Sequence, residues 1–215
     1  MSNNLRERLL SLPTATIYET MGQRGDMDPV IKPVVAGTRL AGTAFTVKCP
    51  IGDYTAVVRA IDAAKPGDVL VIDGGDSVRC TIMGGTTARA AKKRGLAGFV
   101  TNVATRDVDE IQELGVAVFA AGVSVRGVQM THPGWIQIPV SVGGVVVNPG
   151  DWIVGDSDGV VVVPAAEAEE VFRRAFERKG VTERDRDERL ERGESLSSVK
   201  GLSPQLAGVN GNPKK

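Results

Sequence analysis

Arg106 and Asp107 stand side by side in the segment Thr101 to Glu110, with Glu110 one helical turn further on. A guanidinium gives a carboxylate a fixed fork of donors, and a carboxylate beside it can hold a hard cation directly or through water. The same residues also fit a plain helix start, with Thr105 as N-cap and Asp107 and Glu110 opposing the dipole in the first turn. A second candidate is Met83-Gly84-Gly85-Thr86-Thr87, where two glycines open a helix whose unsatisfied N–H groups can cradle a phosphate or a carboxylate. No Lys follows as a Walker loop requires, and a tight turn ending in an N-cap accounts for the segment equally well.

Other polar groups read less sharply. Asp73-Gly74-Gly75-Asp76 ends an apolar run of the kind whose C-terminal edge binds ligands in open α/β sheets. Asp156-Ser157-Asp158-Gly159 lacks the further ligands and terminal Glu of an EF-hand, so a hairpin turn is expected there. His132, the sole histidine, sits in a Thr-His-Pro-Gly loop without a nucleophile context, which leaves a Ser-His-Asp triad poorly supported. Cys49 and Cys80 have no metal-ligand spacing and point to a reduced, cytoplasmic setting.

The elements that must position these residues alternate along the chain. Leu5, Leu9, Leu10 and Leu12 share a helical face that Pro13 ends, and a short helix from Thr14 to Met21 follows. Thr38 to Lys48 predicts a strand, Tyr54 to Ala64 a helix, and Val69 to Ile72 a buried strand after the Pro66-Gly67-Asp68 turn. Gly84 to Arg94 predicts a helix closed by Gly95, Phe99 to Val103 a strand, Asp107 to Leu114 a helix ended by Gly115, and Val116 to Phe119 a strand. This succession argues for βα units. From 136 to 163 the pattern changes to short Val-rich strands between Gly-Gly and Pro-Gly-Asp turns, a hairpin layer. Pro149-Gly150-Asp151 echoes Pro66-Gly67-Asp68. Ala165 to Arg178 predicts an amphipathic helix with Val171, Phe172, Ala175 and Phe176 on its apolar side. The charged run from Thr182 to Gly193 predicts a solvated helix or one that packs on a neighbouring subunit.

We therefore expect one domain over residues 1–180, a charged helix over 181–200 and a flexible tail over 201–215. Lys and Arg total 26 against 26 Asp and Glu, so no net field draws in nucleic acid or an anionic membrane. No stretch approaches the roughly 20 apolar residues that span a bilayer, so a soluble protein is expected.

The run from 66 to 110, PGDVLVIDGGDSVRCTIMGGTTARAAKKRGLAGFVTNVATRDVDE, resembles the RraA-like family of class II 4-hydroxy-4-methyl-2-oxoglutarate (HMG) and 4-carboxy-4-hydroxy-2-oxoadipate (CHA) aldolases. The likeness extends through Thr14-Ala15-Thr16, IKPVVAGTRLAGTAFTV, Pro139-Val-Ser-Val-Gly-Gly-Val and PGDWIVGDSDGVVVVP, about residues 12 to 175. It implies an α/β fold, a mixed αββα sandwich resembling the swivelling phosphohistidine domain, assembled as a homotrimer or hexamer with sites between subunits. It also implies cleavage of a small 2-oxo acid, or decarboxylation of oxaloacetate, through a pyruvate enolate with Mg²⁺ or Mn²⁺ as Lewis acid. Arg106 and Asp107 match the family's Arg-Asp pair, so Arg106 holds substrate oxygens and Asp107 the metal. Gly84, Gly85, Thr86 and Thr87 match the loop whose amides bind the pyruvyl carboxylate. Glu183 is the local match to a Glu supplied to the neighbouring subunit's site.

Two departures go with the likeness. Where the aldolases carry an acid this chain has Gly85, which removes charge that favours a hard cation unless another acid such as Asp76 substitutes. Where the family often has Ser-Asp-Ala-Leu this chain has Tyr18-Glu19-Thr20-Met21, so the far end of the substrate is expected to differ. The family also contains RraA, a regulator that binds ribonuclease E, which gives a non-catalytic alternative. No glycine-rich methyltransferase motif is present.

Overall fold

β2 (Leu40–Lys48) organises the sheet because its residues are apolar or small on both sides and almost all of them are buried. Its first half pairs antiparallel with β10 (Trp152–Asp156), and its second half pairs parallel with β3 (Asp68–Asp73). In the computed structural model, which describes residues 2–203, the sheet runs β1 (Lys32–Pro33), β6 (Ala117–Val123), β5 (Gly98–Thr105), β3, β2, β10, β11 (Gly159–Val163). β4 (Thr81–Met83) adds beside β5, and β7 (Trp135–Ile136) beside β2.

The echo between the two Pro-Gly-Asp turns has a structural meaning. Asp68 Oδ2 accepts the Lys65 amide at 2.8 Å, and Asp151 Oδ2 accepts the Asn148 amide at 2.8 Å. The glycine between is left-handed in both, at φ +89°. One turn thus delivers β3 to one side of Thr43, and the other delivers β10 to the opposite side. Nothing lies within 4 Å of a Cβ at Gly67, so Gly67→Ala tests the backbone alone. We expect it to cost about 1–2 kcal/mol in urea unfolding with an unchanged m-value.

Side-chain alternation builds three cores. Val69 and Val71 of β3 face an inner core with Val100, Phe119, Ile153, Val160 and Val162, closed by the hairpin of β8 (Val140–Val142) and β9 (Val145–Val147). Leu70 and Ile72 face outward onto α3 (Thr55–Ala63), α4 (Gly85–Lys93) and α5 (Val108–Leu114). Beyond the inner core, Val161 and Val163 pack on α1 (Ser2–Leu10), α2 (Thr14–Thr20) and α6 (Ala168–Glu177). The order helix, sheet, sheet, helix is the mixed αββα sandwich expected from the sequence, with one curved sheet supplying both inner layers.

The C-terminal helix departs from expectation in detail. It starts with a 3₁₀ turn at Ala165–Glu167, and Phe176 is exposed at the edge of the core, its ring 5.7 Å from that of Phe172. Val171, Phe172 and Ala175 already fill the buried face, which leaves the next position outside it. A π-helical turn, Arg178–Glu183, leads into the charged α7 (Arg184–Glu191), and α8 (Leu196–Val199) follows. Beyond Ser203 the expected tail lies outside the described residues. Among those residues no helix is long and apolar enough to cross a membrane.

Candidate active site

The cleft of interest opens where β4 and β5 hand over to α4 and α5. Thr105 does not cap α5: its hydroxyl donates to the Met83 carbonyl at 3.2 Å, which ties the ends of β5 and β4 together. The Arg106 amide donates to the same carbonyl at 3.3 Å. The chain then reverses through Asp107, at φ +59° and ψ +44°, a left-handed conformation that Asp tolerates better than most residues. This corrects the plain helix-start reading. Asp107 occupies the N-cap position of α5, yet its side chain turns away from that helix, and Oδ2 accepts the Gly85 amide at 2.9 Å.

The start of α4 is equally particular. The Gly84 amide donates to Thr87 Oγ1 at 2.9 Å, and the same hydroxyl donates to the Gly84 carbonyl at 2.7 Å. With the Gly85 amide given to Asp107, the remaining first-turn donors of α4 are the amides of Thr86 and Thr87, which have no acceptor within the helix. Both residues line the cleft, whereas Gly85 does not. A Cβ on Gly84 would lie 2.5 Å from Asp107 Oδ2 and 3.0 Å from Arg106 Cγ, so glycine is what lets both side chains lie against this turn. Arg106 Nε lies 3.6 Å from Asp107 Oδ2, and both side chains remain nearly half exposed to the cleft. Arg106, Asp107, Gly84, Thr86 and Thr87 therefore converge, as the sequence reading brought them together.

Gly85 has a second consequence. A Cβ built there would overlap the carboxylate of Glu110, which reaches across from the first turn of α5 and pairs with Arg89. The place a side chain at 85 would fill is thus occupied by an acid from another helix. Asp76, the substitute expected from the sequence, is exposed in a left-handed loop position and does not line the cleft.

The cleft encloses about 440 Å³. The rest of its lining is mostly apolar, with Tyr54 just before α3, Val58, Ile61 and the acid Asp62 on α3, and Gly127, Val128 and Met130 on the loop that follows β6, where Gly127 lies against the Arg106 guanidinium. That loop is fixed by Asp53. Oδ2 accepts the amides of Thr131 at 2.6 Å and His132 at 2.9 Å and the Thr131 hydroxyl at 2.9 Å, while Oδ1 accepts the Thr55 amide at 2.8 Å. Burial would raise the Asp53 carboxyl, but these donors outweigh it and hold the group well below the usual carboxylate range. Sequence reasoning missed Asp53; its signal was an Asp two residues before Thr55 at a helix start, the spacing of an Asx turn.

The remaining candidates lie elsewhere. Asp73 is buried, and Lys48, Asn102 and the Gly75 amide hold its carboxyl low against the opposing effect of burial. Asp156 accepts the Thr14 amide at 2.9 Å and hydroxyl at 2.7 Å, so it anchors α2, and the hairpin turn is the correct reading of its loop. His132 Nδ1 accepts the Gly134 amide at 3.0 Å, and the ring leans on Trp135. Cys49 is buried, and that burial pushes its thiol up to about 12, which makes it inert. Glu183 accepts the Thr16 hydroxyl at 2.8 Å in a separate groove beside Glu19 and Arg186, so within one chain it does not meet Arg106.

A family profile described as RraA-like, Aldolase/RraA, matches residues 14–162. A protein of Halalkalibacterium halodurans with the provisional name 4-hydroxy-4-methyl-2-oxoglutarate aldolase is 39% identical over 166 residues, 77% of this chain and 79% of that protein. A Burkholderia mallei protein with the same provisional name is 40% identical over 136 residues, 63% of this chain and 82% of its own. Among solved structures, an uncharacterized protein of Pseudomonas syringae aligns with TM-score 0.80 at 28% identity, covering 93% of this chain and 98% of its own. Streptomyces coelicolor RraAS2, described as an unusual member of the RNase ES inhibitor RraA family, aligns with TM-score 0.77 at 29% identity, covering 86% and 98%.

Proposed function

The chain belongs to the RraA-like family, and from that premise we propose that it is a divalent-metal-dependent lyase that releases pyruvate from a small 2-oxo acid. The observation that carries this reading is the convergence of Arg106, Asp107 and the free first-turn amides of α4 on one cleft. Arg106 and the amides of Thr86 and Thr87 grip the substrate carboxylate, the fork from one side and the helix start from the other. Together they fix the plane of the 2-oxo group, so that the bond to C3 lies where it can break.

The donor set suits a hard cation that keeps most of its water. Asp107 lines the cleft with its side chain nearly half exposed, while Glu110 pairs with Arg89 outside it and no three His, Cys, Asp or Glu side chains cluster among the described residues. A divalent ion held by Asp107 would supply the Lewis acidity that stabilises charge on the 2-oxo oxygen. The homotrimer or hexamer implied by the family likeness would let Glu183 of one subunit serve the cleft of the next.

Purified protein given oxaloacetate or HMG, with pyruvate release coupled to lactate dehydrogenase, is expected to turn over with Mg²⁺ or Mn²⁺ and to stop in EDTA. Rates no higher than those of the free metal would overturn the lyase reading. The likeness to RraAS2 favours a second one, a regulator that binds a ribonuclease. In that case a pull-down with ribonuclease E would retain it whether or not Arg106 is intact.

A further inference from the structure

A guanidinium fork matches a carboxylate only if something fixes where the fork stands. The neighbouring acid does not do this for Arg106, because Asp107 Oδ2 lies 3.6 Å from Nε, beyond hydrogen-bond reach. Packing against two glycines confines the side chain instead. A Cβ at Gly84 would stand 3.0 Å from Cγ and 3.2 Å from Nε, and a Cβ at Gly127 would stand 3.2 Å from Nη1. The second glycine is the more telling. Its φ is not positive, so the backbone there does not call for glycine, and the residue is exposed. Among the described residues, Arg106 Nη1 is the sole atom within 4 Å that a methyl group at 127 would meet. The backbone at 127 is also held in place. The Arg126 carbonyl accepts the Thr81 amide at 3.0 Å and the Thr81 hydroxyl at 3.1 Å. Beyond it the Gln129 amide donates to the Gly52 carbonyl at 2.8 Å, and the Gln129 carbonyl accepts the Tyr54 amide at 3.2 Å.

We propose that Gly127 is a positioning residue for Arg106: its bare backbone is the stop against which the guanidinium rests, and it sets where the fork meets the substrate carboxylate. The inference rests on the lyase reading and adds to it a residue that acts through Arg106. The loop after β6 thereby acts on the opposite side of the cleft without touching substrate at this position. A methyl group at 127 would make Nη1 give way by a few tenths of an ångström. That moves the fork relative to the amides of Thr86 and Thr87, which hold the same carboxylate and stay where α4 puts them.

A double-mutant cycle tests this. Gly127→Ala should weaken calorimetric binding of oxamate, an uncleavable pyruvate analogue, in Mg²⁺ and lower kcat/KM for pyruvate release, each by roughly three- to tenfold, part of the roughly 100-fold that a full ångström can cost. In the Arg106→Ala background the same substitution should change neither. The thermal midpoint should stay that of the parent in both backgrounds. A spectroscopic signature needs no ligand: the Arg106 Nε–H resonance, assigned by its loss in Arg106→Lys, should shift in Gly127→Ala. Equal losses in both backgrounds, or a resonance that does not move, would overturn the positioning role and leave the lyase reading intact. A parent that neither binds oxamate nor releases pyruvate would overturn the lyase reading; the Nε–H resonance then decides by itself, its shift supporting the Gly127 stop and its constancy overturning it.

Discussion

Arg106→Ala is expected to lower kcat/KM for pyruvate release by roughly 10²–10³-fold, the usual consequence of removing a preorganised donor from a developing charge. The guanidinium stem crosses Gly84, Nε approaches Asp107 Oδ2 at 3.6 Å, and the rest of the fork is left to the cleft. The variant therefore loses contacts to substrate and few contacts within the protein. Its thermal midpoint should move little, because an exposed ion pair contributes about 0–1 kcal/mol. Arg106→Lys keeps the charge without the planar fork and should recover only part of the rate. Initial rates over a range of substrate concentrations, beside a thermal melt of each variant, make the comparison. An alanine variant within threefold of the parent would remove Arg106 from the site.

The sequence was informative where a residue type has one good local solution. Gly67 and Gly150 announced the two turns that bring β3 and β10 to β2, and the unbroken apolar run from Val69 to Ile72 announced a buried strand. Gly84, Thr86, Thr87, Arg106 and Asp107 were legible as site candidates, since glycines at a helix start and an Arg-Asp pair each imply a limited chemistry. What could not be read was which way side chains turn at a junction. Thr105 and Asp107 have the composition of a cap, but the first bonds across to β4 and the second bonds to α4, choices made by tertiary contacts. Glu110 and Gly85 are far apart in sequence, so nothing local says that one fills the space beside the other. The apolar lining of the cleft was hidden for a similar reason: Val58 and Ile61 are simply apolar positions of a helix, and only the packing of α3 against α4 brings them to the cleft that Arg106 lines.

Asp53→Ala is expected to destabilise the protein by about 3 kcal/mol at neutral pH, since it leaves several donors without their charged acceptor. The lost partners are the amides of Thr55, Thr131 and His132 and the Thr131 hydroxyl. The pH dependence follows from the direction of the shift. The folded carboxyl titrates below its unfolded value of about 3.9. Its contribution is therefore fully present above that value and is lost as pH falls through the folded one. Urea unfolding of parent and Asp53→Asn at pH 6 and pH 3 should show the stability gap narrowing in acid. A gap that stayed constant would mean the carboxylate charge is not what holds the loop. The same carboxylate pins the segment that presents Val128 and Met130 to the cleft, so loosening it should act on substrate binding. KM should rise more than kcat falls, because Asp107 and the start of α4 keep their own contacts and only the Arg106 guanidinium lies against that loop, at Gly127. A fall in kcat with KM unchanged would place the loop in the chemical step instead, and would require one of its residues to touch the reacting atoms.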